Sequence, residues 1–278
     1  MSLLFNRNYR LEIEGKGVLT TITGLRIEFL CKKNRSSTAN EMTVKVYNPN
    51  RDTLNQSLSS GANFRLYAGY GEDLKLISQC QITNAYPTKQ GVDNILTIES
   101  LDGIEDIKRT KVSLSFQRGA TVKQVLDAIV KSLGIPLKVA NDVDTSIKFN
   151  NGYAYAGGVA GALDEVLNRC NAKWSVLNGD LVVLGLSGTT NNQAVFLSES
   201  TGMIETPTPI EDATNSQTVG EVKKGWKVKS LLQGDINPAD IIAIESKFVK
   251  GEFIIESVEH KGDTHSKEWS SEVICYGR

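Results

Sequence analysis

The chain has 278 residues, of which 40% are hydrophobic and 23% are charged, and its formal net charge is -1 at pH 7. These proportions are typical of a folded globular protein and argue against a disordered chain or a membrane helix bundle. A charge so close to zero provides no general field to attract nucleic acid phosphates. The length predicts about two domains, or three small ones.

The first 110 residues have the alternating pattern of β-strands. In Leu25 to Cys31, apolar side chains alternate with charged ones, as expected of a strand with one face on a core. Turn-rich segments separate further runs at Met42 to Tyr47, Phe64 to Tyr70, Leu74 to Tyr86 and Ile95 to Leu101. A short helix is predicted at residues 51–60, because Leu54 and Leu58 share a face. We therefore predict one β domain over residues 1–110.

Residues 111–202 change to a helical period. Apolar side chains recur at helical spacing from Val122 to Leu133, after a capping Thr121 and before Gly134, which predicts a capped amphipathic helix. A second helix is predicted from about Gly161 to Asn171. Asn178-Gly179 then predicts a hairpin with a type I′ turn, because these residues accept positive φ. We predict a small α+β domain here.

Residues 203–278 are predicted to form a linker followed by a β-meander. Met203 to Thr218 contains Pro207 and Pro209 among polar residues, which indicates a linker or an extended arm. The predicted strands are Val228 to Leu232, Asp240 to Ile244, Gly251 to Asp263 and Trp269 to Cys275. The last two form a long pair that echoes Ile77 to Tyr86 with Asn94 to Ser100.

Signals for export and for membrane insertion are not recognisable. The N-terminus lacks the basic start and apolar run of a secretory signal. The uncharged stretch Leu181 to Ser198 is broken by polar residues that hydrocarbon would not tolerate. The cysteines mostly fall inside apolar runs, so we expect them to be reduced and buried in a protein that folds in the cytoplasm; they are Cys31, Cys80, Cys170 and Cys275.

Two groups of residues contain side chains that could support catalysis or metal binding. Cys170 or Cys275 could act as a nucleophile with a histidine as base, but both cysteines lie in apolar runs, so packing is favoured. His260, Asp263 and His265 could ligate a metal, but a polar hairpin turn at residues 261–267 explains them better. We predict no catalytic, cofactor-binding or metal-binding residues, and therefore no enzyme.

Three other motifs also have simpler structural interpretations. Gly157-Gly158 lacks the residues of a phosphate-binding loop and is predicted to be a tight turn. Carboxylates near Asp102 (also Glu105 and Asp106) are predicted to lie on a solvated face or a salt-bridged loop. The basic cluster Lys32-Lys33-Asn34-Arg35 is predicted to be a charged hairpin tip.

Several short motifs, in this order, resemble those of baseplate hub proteins of contractile-tailed phages. They are Tyr9 to Ile13, Ile22-Thr23, Leu25 to Phe29, Asn40 to Asn48, Leu66 to Tyr70, Ser100 to Gly103, the two predicted helices, Lys229 to Leu232, Asn237-Pro238, Gly251 to Phe253, and His260 to Thr264 followed by Trp269. Ala239 departs from the pattern, since we expect a glycine after Pro238.

The resemblance implies a predominantly β, α+β fold in which two tail-tube-like β-barrel or meander domains (residues 1–110 and 203–278) flank the small α+β domain (111–202). It further implies a structural virion protein, a homotrimer that joins the sixfold tail tube to the threefold spike. The implied partners are the spike, the tube and neighbouring baseplate proteins, with DNA only in transit through the axial channel and no stable membrane binding. The protein would be assembled in the host cytoplasm and located in the tail baseplate.

Two alternatives remain open at this point. A tail-associated cell-wall hydrolase would need a catalytic constellation, which the residues weighed above do not favour. A β-barrel module that binds oligonucleotides or saccharides would need aromatic residues interleaved with basic ones on one sheet, and aromatics make up only 7% of the chain.

Overall fold

The computed structural model describes residues 6–15, 17–35, 40–58, 61–102, 107, 109–185, 188–190, 193–212 and 223–277. These residues divide into two compact units. The first contains the described residues up to 101 and from 193 onward, and the second contains those from 102 to 190. Strands predominate and helices are few, so the predicted predominantly β, α+β fold is confirmed.

The N-terminal part of the first unit is built from strands and one short helix. In chain order these are β1 (Arg7–Gly15), β2 (Val18–Ile22), β3 (Ile27–Asn34), β4 (Glu41–Tyr47), α1 (Arg51–Ser57), β5 (Asn63–Tyr70), β6 (Asp73–Gln90) and β7 (Asp93–Leu101). The predicted strands and the short helix are present. Asn50 caps α1, because its side chain accepts a hydrogen bond from the Thr53 N–H.

The second unit holds the two longer helices. Its elements are β8 (Lys111–Phe116), α2 (Val122–Leu133), β9 (Leu137–Val139), β10 (Tyr153–Gly158), α3 (Val159–Asn168), β11 (Ala172–Leu177) and β12 (Asp180–Gly185). Thr121 and Gln124 form a capping box at the start of α2, and Gly134 ends it with φ +69°. Gly157 and Gly158 were predicted to form a tight turn, which is wrong: they end β10, which pairs with β8 and leads directly into α3.

The hairpin of β11 and β12 has the predicted type I′ turn. Asn178 and Gly179 have φ of 53° and 87°. Asp102, expected on a solvated or salt-bridged segment, is instead buried, and its carboxylate accepts the N–H groups of Asn178 (2.7 Å) and Gly179 (3.1 Å). Asp102 therefore anchors the turn. Glu105 and Asp106 lie outside the described residues.

The C-terminal part of the first unit consists of β13 (Gln193–Ser198), a 3-10 turn (Glu199–Thr201), β14 (Thr208–Asp212), β15 (Lys223–Leu231), β16 (Ile241–Glu245), β17 (Lys250–Asp263) and β18 (Trp269–Gly277). Residues 203–218 were predicted to be a linker or an extended arm, and within them β14 is extended and pairs with β15. Residues 213–222 of that segment lie outside the described residues.

The first unit contains the same strand arrangement twice. Its N-terminal repeat has the antiparallel order β3-β4-β7-β6-β5, and its C-terminal repeat has the order β14-β15-β18-β17-β16. Each repeat is extended beyond this order, the N-terminal one by β1 beside β5 and then β2 beside β1, all antiparallel, and the C-terminal one by β13, which runs parallel to β16. The echo between the two long hairpins extends to a β-bulge, which falls between Ile82 and Asn84 in β6 and between Ile255 and Ser257 in β17.

One pairing joins the two repeats into a continuous sheet. Residues 257–263 of β17 run antiparallel to residues 34–28 of β3, and we call this pairing the seam. β16 pairs only with residues 250–254 of β17, which leaves the later part of β17 available for β3. The two outer β regions of the chain thus share one sheet and one compact unit, and the division of the chain into three domains stays a prediction.

The first unit buries two apolar clusters, and the cluster of the N-terminal repeat also includes Leu232 and Trp269 from the C-terminal part of the chain. The N-terminal cluster includes Leu11, Val44 and Leu96, and the C-terminal cluster includes Val228, Ile255 and Val273. At the seam, the Phe29 ring meets the Trp269 ring edge to face at 5.5 Å between centroids. Of the helices in the described residues, none has the length and apolar character needed to cross a bilayer.

Candidate assembly surface

One face of the continuous sheet carries a row of charged side chains that crosses the seam. Successive strands place Lys229, Glu272, Glu259, Lys32 and Glu41 opposite one another. The two neighbouring glutamates would repel each other, but each has a lysine at hand. Glu272 binds Lys227 at 2.7 Å, and Glu259 contacts Lys261 and, at 3.9 Å, Lys32.

A second charged cluster lies on the same face, at the N-terminal end of β3. Arg26 donates to Glu28 and to Asp263, each at 2.9 Å, so that it joins the two repeats. Its guanidinium lies 4.3 Å from the centre of the Tyr47 ring. Burial raises the pKa of the Tyr47 hydroxyl to about 12, and its hydrogen bond to Glu28 adds to this.

Charges of both signs are present on this face in similar number, and most have a partner of opposite sign. The acidic groups are Glu28, Glu41, Glu99, Glu259, Asp263 and Glu272, and the basic groups are Arg26, Lys32, Lys45, Lys227, Lys229 and Lys261. A surface so neutralised gives a long polyanion no strong attraction. It also lacks the apolar character that would make it a core face.

The opposite face of the same strands has a buried polar row beneath a loop. Cys31, His260, Ser271 and Ser230 lie side by side across β3, β17, β18 and β15, and all are fully buried. The loop of residues 232–240 covers them, and its Gln233 N–H donates to Ser271 Oγ at 3.0 Å. This loop therefore fixes the side of the seam that faces the core.

Lys33 belongs to this buried side, contrary to the predicted charged hairpin tip. Only 1% of its surface is exposed, and its ammonium donates to Asn237 Oδ1 at 3.0 Å. Its neighbour Lys32 does point outward, to Glu259. Lys33 faces inward because consecutive strand residues point to opposite sides of the sheet. A run of basic residues in the sequence therefore does not mean that all of them are exposed.

Ala239 in the same loop has φ +68°, which is the left-handed region. The backbone there needs the conformation that glycine adopts without cost, and this is a physical reason for the glycine expected after Pro238. The chain keeps the conformation with alanine, whose N–H donates to the Ile255 carbonyl at 2.8 Å. The departure in sequence is therefore not a departure in backbone geometry.

Burial disfavours the reactive thiolate form of both cysteines considered as nucleophiles. Burial raises the pKa of the Cys275 thiol to about 12, and that of the Cys170 thiol is also raised chiefly by burial. None of the four cysteines forms a disulfide, and three are buried while Cys170 is half-buried. His260 Nδ1 hydrogen-bonds to Ser271 Oγ at 2.8 Å, and not to a cysteine.

The three residues weighed as metal ligands are also not brought together. His260 points into the core, whereas Asp263, an odd number of residues away on the same strand, points to the charged face and binds Arg26. His265 lies in the exposed turn, where its ring contacts Thr264 Oγ1. Within the described residues, no group of three side chains is placed to hold a metal ion.

The inward-pointing His260 and the outward-pointing Asp263 both have shifted pKa values, with different causes. The pKa of His260 is lowered to about 3, chiefly by burial and further by the nearby Lys33 ammonium, while the Ile236 carbonyl opposes the shift. Burial alone would raise the pKa of Asp263, but hydrogen bonds from the His265 N–H and from Arg26 outweigh it and lower that pKa. His260 is therefore neutral, and Asp263 is ionised, at neutral pH.

Sequence reasoning missed the charged row as a surface. Alternation in Ser257, Glu259, Lys261 and Asp263 shows that one face of β17 is polar. Only the register, however, places Glu259 between Glu272 and Lys32. That register joins residues more than two hundred positions apart, and no local pattern specifies it.

Solved structures with this arrangement come from phage tails and a secretion system. The 43 kDa tail protein of prophage MuSo2 from Shewanella oneidensis has a TM-score of 0.66 at 10% identity, over 96% of this chain and 98% of that one. A tail protein from Neisseria meningitidis MC58 has a TM-score of 0.67 at 11% identity, over 97% and 96% of the two chains. The chain has a phage tail protein fold.

The same fold extends to the E. coli c3393 protein, a component of the type VI secretion system that is described as similar to the T4 tail proteins gp27 and gp5. Its TM-score is 0.60 at 8% identity, over 96% of this chain and 76% of that one. No protein-family model matches the sequence. No curated protein matches it either. The resemblance to tail hub proteins, inferred from short motifs, is thus confirmed at the level of the fold.

Proposed function

We propose that the protein is a structural, non-enzymatic component of a phage tail baseplate. In this proposal it is a hub that forms a homotrimer, connects the sixfold tail tube to the threefold spike, and contributes to the wall of the axial channel. The observation that carries the proposal is the repeated strand order of the first unit. Two similar strand repeats in each chain give six repeats in a trimer. Such a trimer can match a sixfold partner on one side and a threefold partner on the other.

The charged face supports the role in the channel. DNA passing through a channel should not be held by its wall, and binding to phosphates requires cations that are free to replace counterions. On this face the lysines near the seam are engaged with glutamates, as in Lys227 with Glu272 and Lys261 with Glu259. We therefore assign this face to the channel wall.

The partners in this proposal are a second and third copy of the chain, the spike, the tube and adjoining baseplate proteins, in the virion. Multi-angle light scattering over a range of concentrations, with and without the spike, tests it. The expected result is a mass of three chains and, in electron micrographs, a threefold ring with an axial opening. A particle that stays monomeric with and without its spike at assembly concentrations would contradict the trimer.

A further inference from the structure

The two repeats differ in what lies beside their long hairpins. Residues 257–263 of β17 extend past β16 and are covered by β3, which forms the seam. Residues 84–90 of β6 extend past β5 in the same way, since β5 ends its pairing at Gln81. Among the described strands, none pairs with this outer edge of β6. β14, the counterpart of β3, likewise has one edge that no described strand covers.

We propose that a second copy of the chain lies against the outer edge of β6 with the outer edge of its β14, and that Pro87 and Pro209 keep this contact from becoming a continuous hydrogen-bonded sheet. The inference rests on the proposed homotrimer and names its contact. The two edges are different, so the contact is head to tail, which is the kind of contact that forms a closed ring of three when successive copies are related by a third of a turn.

The seam supplies the register of this contact. Because the bulges of the two hairpins correspond, Asn84 occupies the place of Ser257, and Pro87 that of His260. Along the other ladder, Pro209 lies opposite Trp226 as Cys31 lies opposite Met42. In the seam, His260 lies opposite Cys31. A contact between copies in the same register therefore sets Pro87 opposite Pro209.

Both prolines direct their nitrogen to the open edge. The turn between β6 and β7 has two residues, so Gln90 and Asp93 form a hydrogen-bonded pair and alternation turns Pro87 away from β7. On β15, the Lys229 carbonyl accepts the Ile204 N–H, so the backbone of Lys229, and by alternation that of Lys227, points toward β14. Trp226, opposite Pro209, therefore points the other way, and the Pro209 nitrogen faces away from β15. In the seam this position is a hydrogen-bonded pair, because Thr264 N–H donates to Ile27 and Arg35 N–H to Glu256. Two donors are thus missing at one place in the contact between copies.

In the contact between copies, the position next to the two prolines is occupied by two large side chains. Tyr86, which is 38% exposed, takes the place of Glu259, and Ile210 takes that of Lys32. The charged pair of the seam becomes an aromatic and a β-branched residue, a favourable cross-strand combination. The pair is not hydrogen-bonded, so the two Cα atoms would be about 4.5 Å apart. Such a spacing is within the range of a disulfide.

The test is disulfide formation between copies in a chain that carries Tyr86→Cys and Ile210→Cys, with Cys170→Ser to remove the half-buried thiol. We expect mild oxidation of the assembled protein to give covalent trimers on a denaturing gel. The matched control replaces Val18, which is 58% exposed on the edge strand β2, in place of Tyr86. That variant (Val18→Cys with Ile210→Cys) should give no covalent trimer.

The prolines are tested by Pro87→Thr with Pro209→Val, which restores two N–H donors. Since a net hydrogen bond contributes about 1 kcal/mol, the two restored bonds should strengthen each contact roughly thirtyfold, and assembly should occur at a correspondingly lower concentration. An unchanged midpoint would overturn the role of the prolines. A native trimer without the 86 to 210 disulfide would overturn the contact while leaving the proposed trimer intact, whereas a strictly monomeric chain would contradict both.

Discussion

At the scale of single residues, the first unit separates charge by side of the sheet. Glu259 and Lys261 point to the charged face, whereas His260 between them is fully buried against Ser271. The buried imidazole is stable only in its neutral form, because among the described residues around it no carboxylate offsets the lost hydration of the cation. Protonation of His260 would therefore destabilise the folded chain.

This burial predicts a loss of stability in acid. The pKa of His260 is lowered from 6.5 to about 3, so the unfolded chain binds a proton below pH 6.5 that the folded chain does not. The free energy of unfolding should then fall by about 1.4 kcal/mol per pH unit as the pH drops from 6.5 toward 3. His260→Gln should remove this part of the slope, measured by urea unfolding between about pH 8 and pH 4.5.

The groups that face His260 keep this test specific. They are Lys33 and Cys31 on β3, Ser271 on β18, and Asn237 with the Ile236 carbonyl in the covering loop, and none of them is a carboxylate or a second histidine. His265→Gln, in the exposed turn, serves as the control and should leave the slope unchanged. Parallel slopes for wild type and His260→Gln would contradict the assignment.

Asp102 predicts a second effect on stability, in the second unit. Its carboxylate accepts two backbone N–H groups of the type I′ turn. Hydrogen bonds to a charged group contribute about 1.5–3 kcal/mol each, so Asp102→Ala should lower the free energy of unfolding by roughly 3 kcal/mol or more. Asp102→Asn, which keeps one oxygen, should lose less, and exposed Asp127→Ala should be nearly neutral. A loss below about 1 kcal/mol in thermal denaturation of Asp102→Ala would rule out this anchoring role.

At the scale of elements, local patterns predicted what local interactions determine. The helix from Val122 was predictable because its cap, apolar face and terminal glycine lie within fourteen positions of one another. The type I′ turn at Asn178-Gly179 was predictable for the same reason. The strand at Tyr153 to Gly158 was not, because two glycines near a helix favour a turn until β8 is known to pair with them.

The seam was beyond the reach of the sequence pattern. It joins β3 to β17, and the cost of closing so long a loop is offset only by burial and pairing that a linear pattern does not display. The same holds for Asp102, whose partners lie 76 and 77 positions away. The absence of a catalytic or metal site was an expectation drawn from spacing alone, and it stays a prediction.

Gly262 predicts how tightly the seam is packed. A Cβ at this position would lie 2.2 Å from a ring carbon of Phe29 and 2.8 Å from one of Trp269. Both rings are buried, so Gly262→Ala forces them to move and should cost about 1–3 kcal/mol. Gly277→Ala is the control, because nothing lies within 4 Å of its added Cβ. Equal stability of the two variants in chemical denaturation would mean that the rings yield freely.

At the scale of the whole molecule, the edges of the two repeats bear on how copies of the chain assemble. Within the chain the seam is a complete strand pairing, whereas the corresponding outer edges carry prolines. A chain that paired its outer edges freely would build open-ended sheets, which is the usual hazard of exposed edges. The prolines on these edges are thus consistent with assembly that waits for a partner to hold the copies together.

The charged face makes the last prediction, which concerns DNA. In the proposed channel, Glu259 and Glu272 neutralise the lysines around them, so wild-type protein should show no binding of duplex DNA at physiological salt.

Glu259→Lys with Glu272→Lys reverses two charges in each chain and frees the neighbouring lysines. This variant should bind duplex DNA with an affinity that falls steeply as salt is raised, measured by fluorescence anisotropy. Glu245→Lys with Glu252→Lys changes two exposed residues of the paired strands β16 and β17, adds the same charge away from the row, and is the control. Equal binding by the two variants would show that net charge alone matters, and tight binding by the wild type would contradict a neutral channel wall.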